Sequence, residues 1–83
     1  MRWTVVWTPV AREELADLWT TGSDRQAVAD AANEIDRLLK YRADTVGSAL
    51  GQHRLLVIEP LEVLYRVLPD DRMVRVIRVA RYP

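Results

Sequence analysis

Residues 61–80, LEVLYRVLPDDRMVRVIRVA, contain two predicted strands and the turn between them. The two apolar runs, Leu61–Leu68 and Arg72–Ala80, are rich in Val and Ile, which favours strands. Pro69-Asp70-Asp71 between them has the composition of a turn. A connection this short joins neighbouring antiparallel strands, so the stretch predicts a hairpin.

Two further strands are predicted outside this hairpin. Arg54–Ile58 is an apolar run that Glu59-Pro60 separates from Leu61, and it extends the hairpin to an antiparallel meander. Trp3–Trp7 is rich in aromatic and β-branched residues and ends at Thr8-Pro9. Residues 42–52 contain two glycines and are predicted to be a loop.

Two amphipathic helices are predicted between the first strand and this loop. Thr8 is a suitable N-cap, with Pro9 at the first helical position, and Thr20-Thr21-Gly22 ends the first helix. Ser23 with Gln26 three residues later predicts a capping box for the second helix, which extends to about Tyr41. The second helix carries an apolar stripe of Val28, Ala31, Ala32, Ile35, Leu38 and Leu39.

The predicted order is therefore β-α-α-β-β-β in a single domain, residues 1–83. This is an α+β fold in which an αα-hairpin packs on one face of a mainly antiparallel four-stranded sheet. We expect Leu15, Leu18, Val28, Ile35 and Leu38 to be buried between the helices and the sheet.

Strand alternation predicts where the arginines of the last two strands lie. Alternation places Arg66 on one face of its strand together with Glu62, Leu64 and Leu68. In the last strand it groups Arg78 with Arg72, Val74, Val76 and Ala80, and places Arg75 on the opposite face. One face of the sheet must cover the helices, and the other is expected to form a shallow basic concavity.

Composition excludes several classes of site. The absence of cysteine rules out disulfides and thiolate metal sites and is typical of the cytoplasm. One histidine among scattered acids gives no metal-ligand cluster, and three isolated glycines give no phosphate-binding loop, so no metal and no cofactor are expected. A signal peptide and an apolar run long enough to span a membrane are both lacking, which predicts a soluble protein with no membrane partner. Twelve basic residues balance twelve acidic ones, although residues 42–83 hold seven arginines against five acids.

The ordered combination of these elements resembles the RelE/ParE toxin superfamily along nearly the whole chain. The resemblance is carried by the opening strand with Thr8-Pro9-Val10-Ala11-Arg12-Glu13-Glu14-Leu15, by Leu64-Tyr65-Arg66-Val67, by the Asp70-Asp71 turn and by Val74-Arg75-Val76-Ile77-Arg78-Val79. It implies a toxin of a type II, plasmid-stabilisation type system, which a cognate antitoxin neutralises in a hetero-oligomer. It also implies a target, which is ribosome-bound mRNA for RelE-like members and DNA gyrase for ParE-like members.

The resemblance leaves enzyme and binder open for this chain. RelE-like members cut mRNA without a metal and use basic residues of the last three strands. Here Glu62 stands where those members usually have an arginine, and the preceding strand reads Leu55-Leu56-Val57-Ile58 rather than carrying basic side chains. The alternative is a degenerate, non-catalytic binding module that only pairs with an antitoxin.

Metal-free RNA cleavage needs a base, cations beside the phosphorane and an acid. Histidine exchanges a proton near neutral pH, and arginine stabilises phosphate charge. The candidate catalytic residues on these grounds are His53, Arg54, Arg66, Arg78, Arg81 and Tyr82. Tyr65 is expected in the core, and the tryptophans are expected to be core or partner-contact residues.

Overall fold

The computed structural model describes residues 2–83, with two helices packed on one face of a five-stranded sheet. The elements are β1 (Thr4–Trp7), α1 (Pro9–Thr21), α2 (Arg25–Arg42), β2 (Ser48–Leu50), β3 (His53–Ile58), β4 (Leu61–Leu68), a 3₁₀ turn (Pro69–Asp71) and β5 (Met73–Arg81). The α+β class and the order of the predicted elements are confirmed. Neither helix in this part of the chain is long and apolar enough to cross a membrane.

The sheet differs from the prediction by one strand. Its order is β1-β5-β4-β3-β2, with β1 parallel to β5 and the other neighbours antiparallel. The additional strand, β2, lies in residues 42–52, which were predicted to be a loop, and it pairs Ser48 with Leu55. Gly51 has a φ of +61° in the turn that joins β2 to β3, a conformation that favours glycine. Three residues bounded by glycines gave no alternation from which to predict a strand.

The helix starts agree with the sequence at α1 and differ at α2. The Thr8 hydroxyl accepts a hydrogen bond from the Ala11 N–H at 3.1 Å, as expected of the N-cap. The capping box predicted for Ser23 is wrong, because Asp24 is the N-cap of α2 and makes no side-chain cap. The Asp24 carboxylate instead accepts two hydrogen bonds from Arg81, at 2.8 and 3.2 Å.

The core lies between the hairpin and the helix-facing side of the sheet. Of the five residues expected there, Val28 and Ile35 are fully buried, while Leu15, Leu18 and Leu38 are partly buried against the core. The other fully buried large side chains are Leu39, Leu61, Val63, Tyr65, Val74 and Val76. The core position predicted for Tyr65 is therefore confirmed.

A β-bulge in β5 changes which arginines share a face. Leu64 pairs with Arg78 and Tyr65 pairs with Val76, so Ile77 has no partner across the ladder. The predicted grouping of Arg78 with Val76 is therefore wrong, because the extra residue shifts the alternation. Val76 is buried on the helix side, whereas Arg78 is exposed.

Helix α1 covers the part of β5 that β1 is too short to pair. β1 ends at Trp7, opposite Val76. Beyond it the Thr8 hydroxyl donates to the Ile77 carbonyl at 3.3 Å, and Glu14 accepts from the Val79 N–H at 2.9 Å. These side chains satisfy backbone groups that the sheet leaves unpaired.

Candidate functional site

The sheet face opposite the helices carries a pair of arginines. Arg66 on β4 and Arg75 on β5 are direct cross-strand partners, and both are exposed. Side chains that oppose each other in this way have Cβ atoms about 4.5–5.5 Å apart. The three ion pairs within residues 2–83 involve neither arginine. We call Arg66 and Arg75 the arginine pair.

His53 lies in the same row of the sheet as the arginine pair. Arg54 pairs with Tyr65, and the antiparallel register continued by one residue places His53 opposite Arg66. On its other side His53 pairs with Leu50 of β2. The row thus runs across β2, β3, β4 and β5 on the face that the helices do not cover.

Arg54 faces the helix side and holds the loop that follows α2. Its guanidinium donates to the Val46 carbonyl at 3.0 Å and to the Gly47 carbonyl at 3.2 Å. The buried Tyr65 hydroxyl lies 2.9 Å from both the Ala43 and the Val46 carbonyls. Burial raises the pKa of Tyr65, an effect that the neighbouring Arg54 partly opposes.

Arg78 and Arg81 are each bound to a carboxylate of the helical hairpin. Arg78 donates to Glu14 at 2.9 Å, and this hydrogen bond lowers the pKa of Glu14 and raises that of Arg78. Arg81 forms a two-pronged pair with Asp24, which lowers the pKa of Asp24 and raises that of Arg81 through the same kind of contact. Both arginines therefore have internal anionic partners.

Tyr82 follows the end of β5 and is exposed. Its backbone N–H donates to the Pro60 carbonyl at 2.8 Å. Tyr82 thus lies at the β3–β4 turn end of the sheet, whereas the arginine pair lies toward the opposite end, near the turn between β4 and β5.

The structure brings together only part of the predicted residue set. His53 and Arg66 share a row of the sheet. Arg54 and Arg81 lie on the helix side instead. Arg78 is hydrogen-bonded to Glu14 of α1. Arg75 was not among the predicted site residues, because strand alternation placed it on the face of the last strand opposite Arg78. Strand β4 alternates without interruption, but the bulge at Ile77 places Arg75 and Arg78 on the same face, and no local pattern marks that bulge.

A second feature is an apolar groove on the helix side, which we call the helix groove. It lies between β1, α1 and α2, has a volume of about 730 Å³, and is lined by Val5, Val6, Trp7, Arg12, Leu15, Ala16, Trp19, Thr20, Val28, Ala29, Ala32, Asn33 and Asp36. Trp19 is 44% exposed, and the Arg25 guanidinium stacks over its ring at 5.0 Å from the centroid. The Trp7 indole N–H donates to Asp36 at 3.2 Å across the groove.

The edge of β1 beside the helix groove is open. The Thr4 N–H donates to the carbonyl of Arg72, just before β5, at 2.9 Å, and the Thr8 N–H donates to the carbonyl of Val76 in β5 at 3.0 Å. Because hydrogen bonds alternate along a strand, Val5 and Trp7 point their backbone groups to the free edge. The Trp7 carbonyl there accepts from Arg12 Nε at 3.1 Å.

No protein-family model matches this chain, and no curated protein matches it in sequence. Solved structures do match it along nearly its whole length. The toxin–antitoxin complex RelBE2 from Mycobacterium tuberculosis contains a chain with a TM-score of 0.83 and 21% identity, and the match covers 98% of this chain and 99% of that one.

Two other solved structures give the same result. The chromosomal ParDE toxin–antitoxin system of P. aeruginosa has a TM-score of 0.74 and 19% identity, and the match covers 99% of this chain and 98% of that one. A mutant of the E. coli toxin RelE in the free state has a TM-score of 0.72 and 15% identity, with coverage of 98% and 84%. This chain therefore has the same fold as these RelE and ParE proteins.

Proposed function

We propose that this chain, which has the RelE/ParE fold, is the toxin of a type II toxin–antitoxin pair and acts in the cytoplasm. A cognate antitoxin neutralises it by occupying the helix groove in a hetero-oligomer. Support comes from the fold, which it shares with chains of the RelBE2 and ParDE toxin–antitoxin complexes. Fold alone does not specify function, so the groove itself carries the proposal.

The single observation behind the proposal is an apolar groove that adjoins an open strand edge. Trp19 is 44% exposed on its rim, and large aromatic side chains of this kind anchor protein interfaces. Along the same groove the backbone groups of Val5 and the N–H of Trp7 point to the open edge, while the Trp7 carbonyl accepts from Arg12. An extended antitoxin segment that pairs with β1 would place every second side chain in the groove.

The charges at the groove rim specify the partner segment further. Arg12 of α1 lines the groove, and Arg25 at the start of α2 stacks over Trp19. Asp36, also on α2, holds the Trp7 indole. We therefore expect an antitoxin segment with apolar anchors and a carboxylate that reaches Arg12. That contact would replace part of the hydration that Arg12 has at the open edge.

The arrangement of the six candidate residues favours a toxin that binds its target, either ribosome-bound mRNA or DNA gyrase, without cutting RNA. Arg78 and Arg81 are neutralised by Glu14 and Asp24, and Arg54 is committed to loop carbonyls. Cleavage would require these cations to be free to stabilise charge in the transition state. Incubation of programmed ribosomes with the purified protein should give no codon-dependent cleavage, whereas cleavage that Arg78→Ala abolishes would contradict this part of the proposal.

Replacing either of two alanines with arginine tests whether the antitoxin binds in the helix groove. Ala16 lines it, and Ala27 lies on α2 outside it; both are exposed. Ala16→Arg should weaken binding of the product of the adjacent reading frame by at least about tenfold, or about 1.4 kcal/mol, whereas Ala27→Arg should not. Calorimetric titration measures both affinities, and melting temperatures check that both variants fold.

Hydrogen exchange gives a second measurement of the same interface. In the complex, the Val5 and Trp7 amides should become protected if a strand pairs with β1. Equal affinity of the two arginine variants, together with unchanged exchange at Val5 and Trp7, would show that the antitoxin binds elsewhere.

A further inference from the structure

We propose that Arg12 determines which strand the open edge of β1 accepts. It prevents this edge from pairing with a second copy of the chain, and it leaves the edge accessible to a segment that carries an Asp or Glu side chain. The second half of the inference rests on the proposed function, whereas the first half does not, so the two can fail separately.

The strand at this edge has no charge of its own. Residues 3–7, WTVVW, are all β-branched or aromatic. β1 is the terminal strand of the sheet, and only its other edge is paired, with β5. Edge strands of this composition pair readily with other strands, and proteins usually protect them with a charged side chain. In β1 that protection has to come from a neighbouring element.

A second copy would fit the unprotected edge in a symmetric register. The backbone groups of Val5 and Trp7 alternate toward the edge, whereas the N–H groups of Thr4 and Thr8 donate away from it. An antiparallel pairing about a twofold axis at Val6 places Val5 of each copy opposite Trp7 of the other. Each such pair can exchange both of its N–H···O=C hydrogen bonds, and an aromatic side chain opposite a β-branched one is a favourable cross-strand pair. The edge is therefore complementary to itself.

Arg12 blocks this register from α1. Its Nε donates to the Trp7 carbonyl at 3.1 Å, and this carbonyl is the acceptor that the Val5 N–H of a second copy would need. Because the register is symmetric, each Val5–Trp7 pair loses one of its two hydrogen bonds. The guanidinium would also lie against an apolar strand that has no carboxylate, and burying a charge without a partner is costly.

The same side chain can accept a segment with a carboxylate. Within residues 2–83 Arg12 donates from its side chain through Nε alone and forms no ion pair. Its two terminal nitrogens can therefore bind a carboxylate through parallel hydrogen bonds while Nε stays on the Trp7 carbonyl. Such a segment still pairs with both backbone groups of Val5 and with the Trp7 N–H. Arg12 thus favours an acidic partner strand and penalises a neutral one such as β1 itself.

Cysteine cross-linking tests the protection of the edge, since the chain contains no cysteine. In the symmetric register Val6 lies opposite Val6 of the other copy, with Cα atoms about 4.5 Å apart, a distance that a disulfide spans. A chain with both Arg12→Ala and Val6→Cys should form a cross-linked dimer under mild oxidation, whereas Val6→Cys alone should not. Arg12→Ala with Thr4→Cys is the control, because Thr4 is exposed but lies about 13 Å along the strand from Thr4 of the other copy.

Sedimentation measures the same association without a cross-link. Arg12→Ala should form a dimer whose fraction rises with concentration, whereas the wild type and Arg25→Ala should remain monomeric. Arg25→Ala removes the same charge, but the Arg25 guanidinium stacks over Trp19 and does not bind β1. Arg12→Lys keeps a cation on α1 and should remain monomeric, and melting curves check that every variant folds. A monomeric Arg12→Ala chain, or equal cross-linking through Val6→Cys and Thr4→Cys, would overturn the protection of the edge.

Calorimetric titration with the product of the adjacent reading frame tests the carboxylate contact. Arg12→Ala should weaken binding by about tenfold, since it removes a charge-assisted hydrogen-bonded pair, and Arg12→Lys should recover part of that loss. Equal affinities of the wild type and Arg12→Ala would overturn the contact. Absence of binding by the wild type would contradict both the contact and the proposed function, whereas the cross-linking result would still decide whether Arg12 protects the edge.

Discussion

Tyr65→Phe removes a single hydroxyl from the core and should destabilise the fold through the loop after α2. Tyr65 is fully buried, and its hydroxyl lies 2.9 Å from two carbonyls, those of Ala43 and Val46. The Val46 carbonyl keeps its bond from Arg54, so the substitution deprives mainly the Ala43 carbonyl of a partner.

The size of the destabilisation follows from the number of carbonyls that lose a hydrogen-bond partner. An unsatisfied buried acceptor costs about 1–3 kcal/mol. Only the Ala43 carbonyl loses its partner and the Val46 carbonyl stays bonded to Arg54, so the free energy of unfolding should fall by about 1–2 kcal/mol. For a domain of this size the melting temperature falls by roughly 4–8 °C for each kcal/mol, so a decrease of roughly 4–16 °C is expected. Urea and thermal unfolding measure it.

The pH dependence provides an internal check. Because burial raises the pKa of Tyr65, its contribution to stability is fully present below about pH 10, the unfolded value, and is lost as the pH rises through the folded pKa. The stability difference between wild type and Tyr65→Phe should therefore narrow above pH 10. Tyr41→Phe is the matched control, since Tyr41 is 50% exposed. A Tyr65→Phe variant within about 0.5 kcal/mol of wild type would show that the hydroxyl does not stabilise the loop after α2.

Three further predictions concern the core, the β5 edge and the arginine pair. Ile35→Asp places an unpaired charge at a fully buried position and should abolish cooperative unfolding by circular dichroism; a cooperatively melting variant would contradict the assigned core. Glu14→Gln should destabilise the protein by about 1 kcal/mol at pH 7. Because the pKa of Glu14 is lowered, this difference should shrink as the pH falls below about 4.3, through the folded pKa, and a constant difference in pH-dependent melts would argue against the Arg78 contact. Arg66→Gln relieves like-charge repulsion and should raise the melting temperature at low salt, an effect that salt removes; a decrease at low salt would show that the arginine stem contributes more by packing.

The sequence alone correctly predicted those features whose pattern lies within a few neighbouring residues. β4 has the predicted bounds, Leu61–Leu68, because apolar alternation and turn residues at both ends mark it. Thr8 caps α1 as expected, since the cap and its partner are three residues apart. The apolar stripe of α2 correctly predicted the burial of Val28 and Ile35.

The features that were missed depend on contacts between distant residues. Asp24 binds Arg81, 57 positions along the chain, instead of forming the local cap that the sequence suggested near Ser23. The bulge at Ile77 arises from the pairing of β5 with β4, and it decides that Arg78 lies on the same face as Arg66 and that Arg81 lies on the helix side. Candidate site residues chosen by type could not anticipate which arginines the fold would neutralise.

The toxin function is tested by the growth of cells after induction of this chain, either alone or together with the product of the adjacent reading frame. We expect growth to stop when the chain is made alone and to continue when both proteins are made. We also expect that the partner no longer restores growth to cells making Ala16→Arg, because this substitution fills the helix groove but leaves the sheet face intact. Unchanged growth when the wild-type chain is induced alone would contradict the toxin function, and full rescue of Ala16→Arg would contradict the groove as the site of neutralisation.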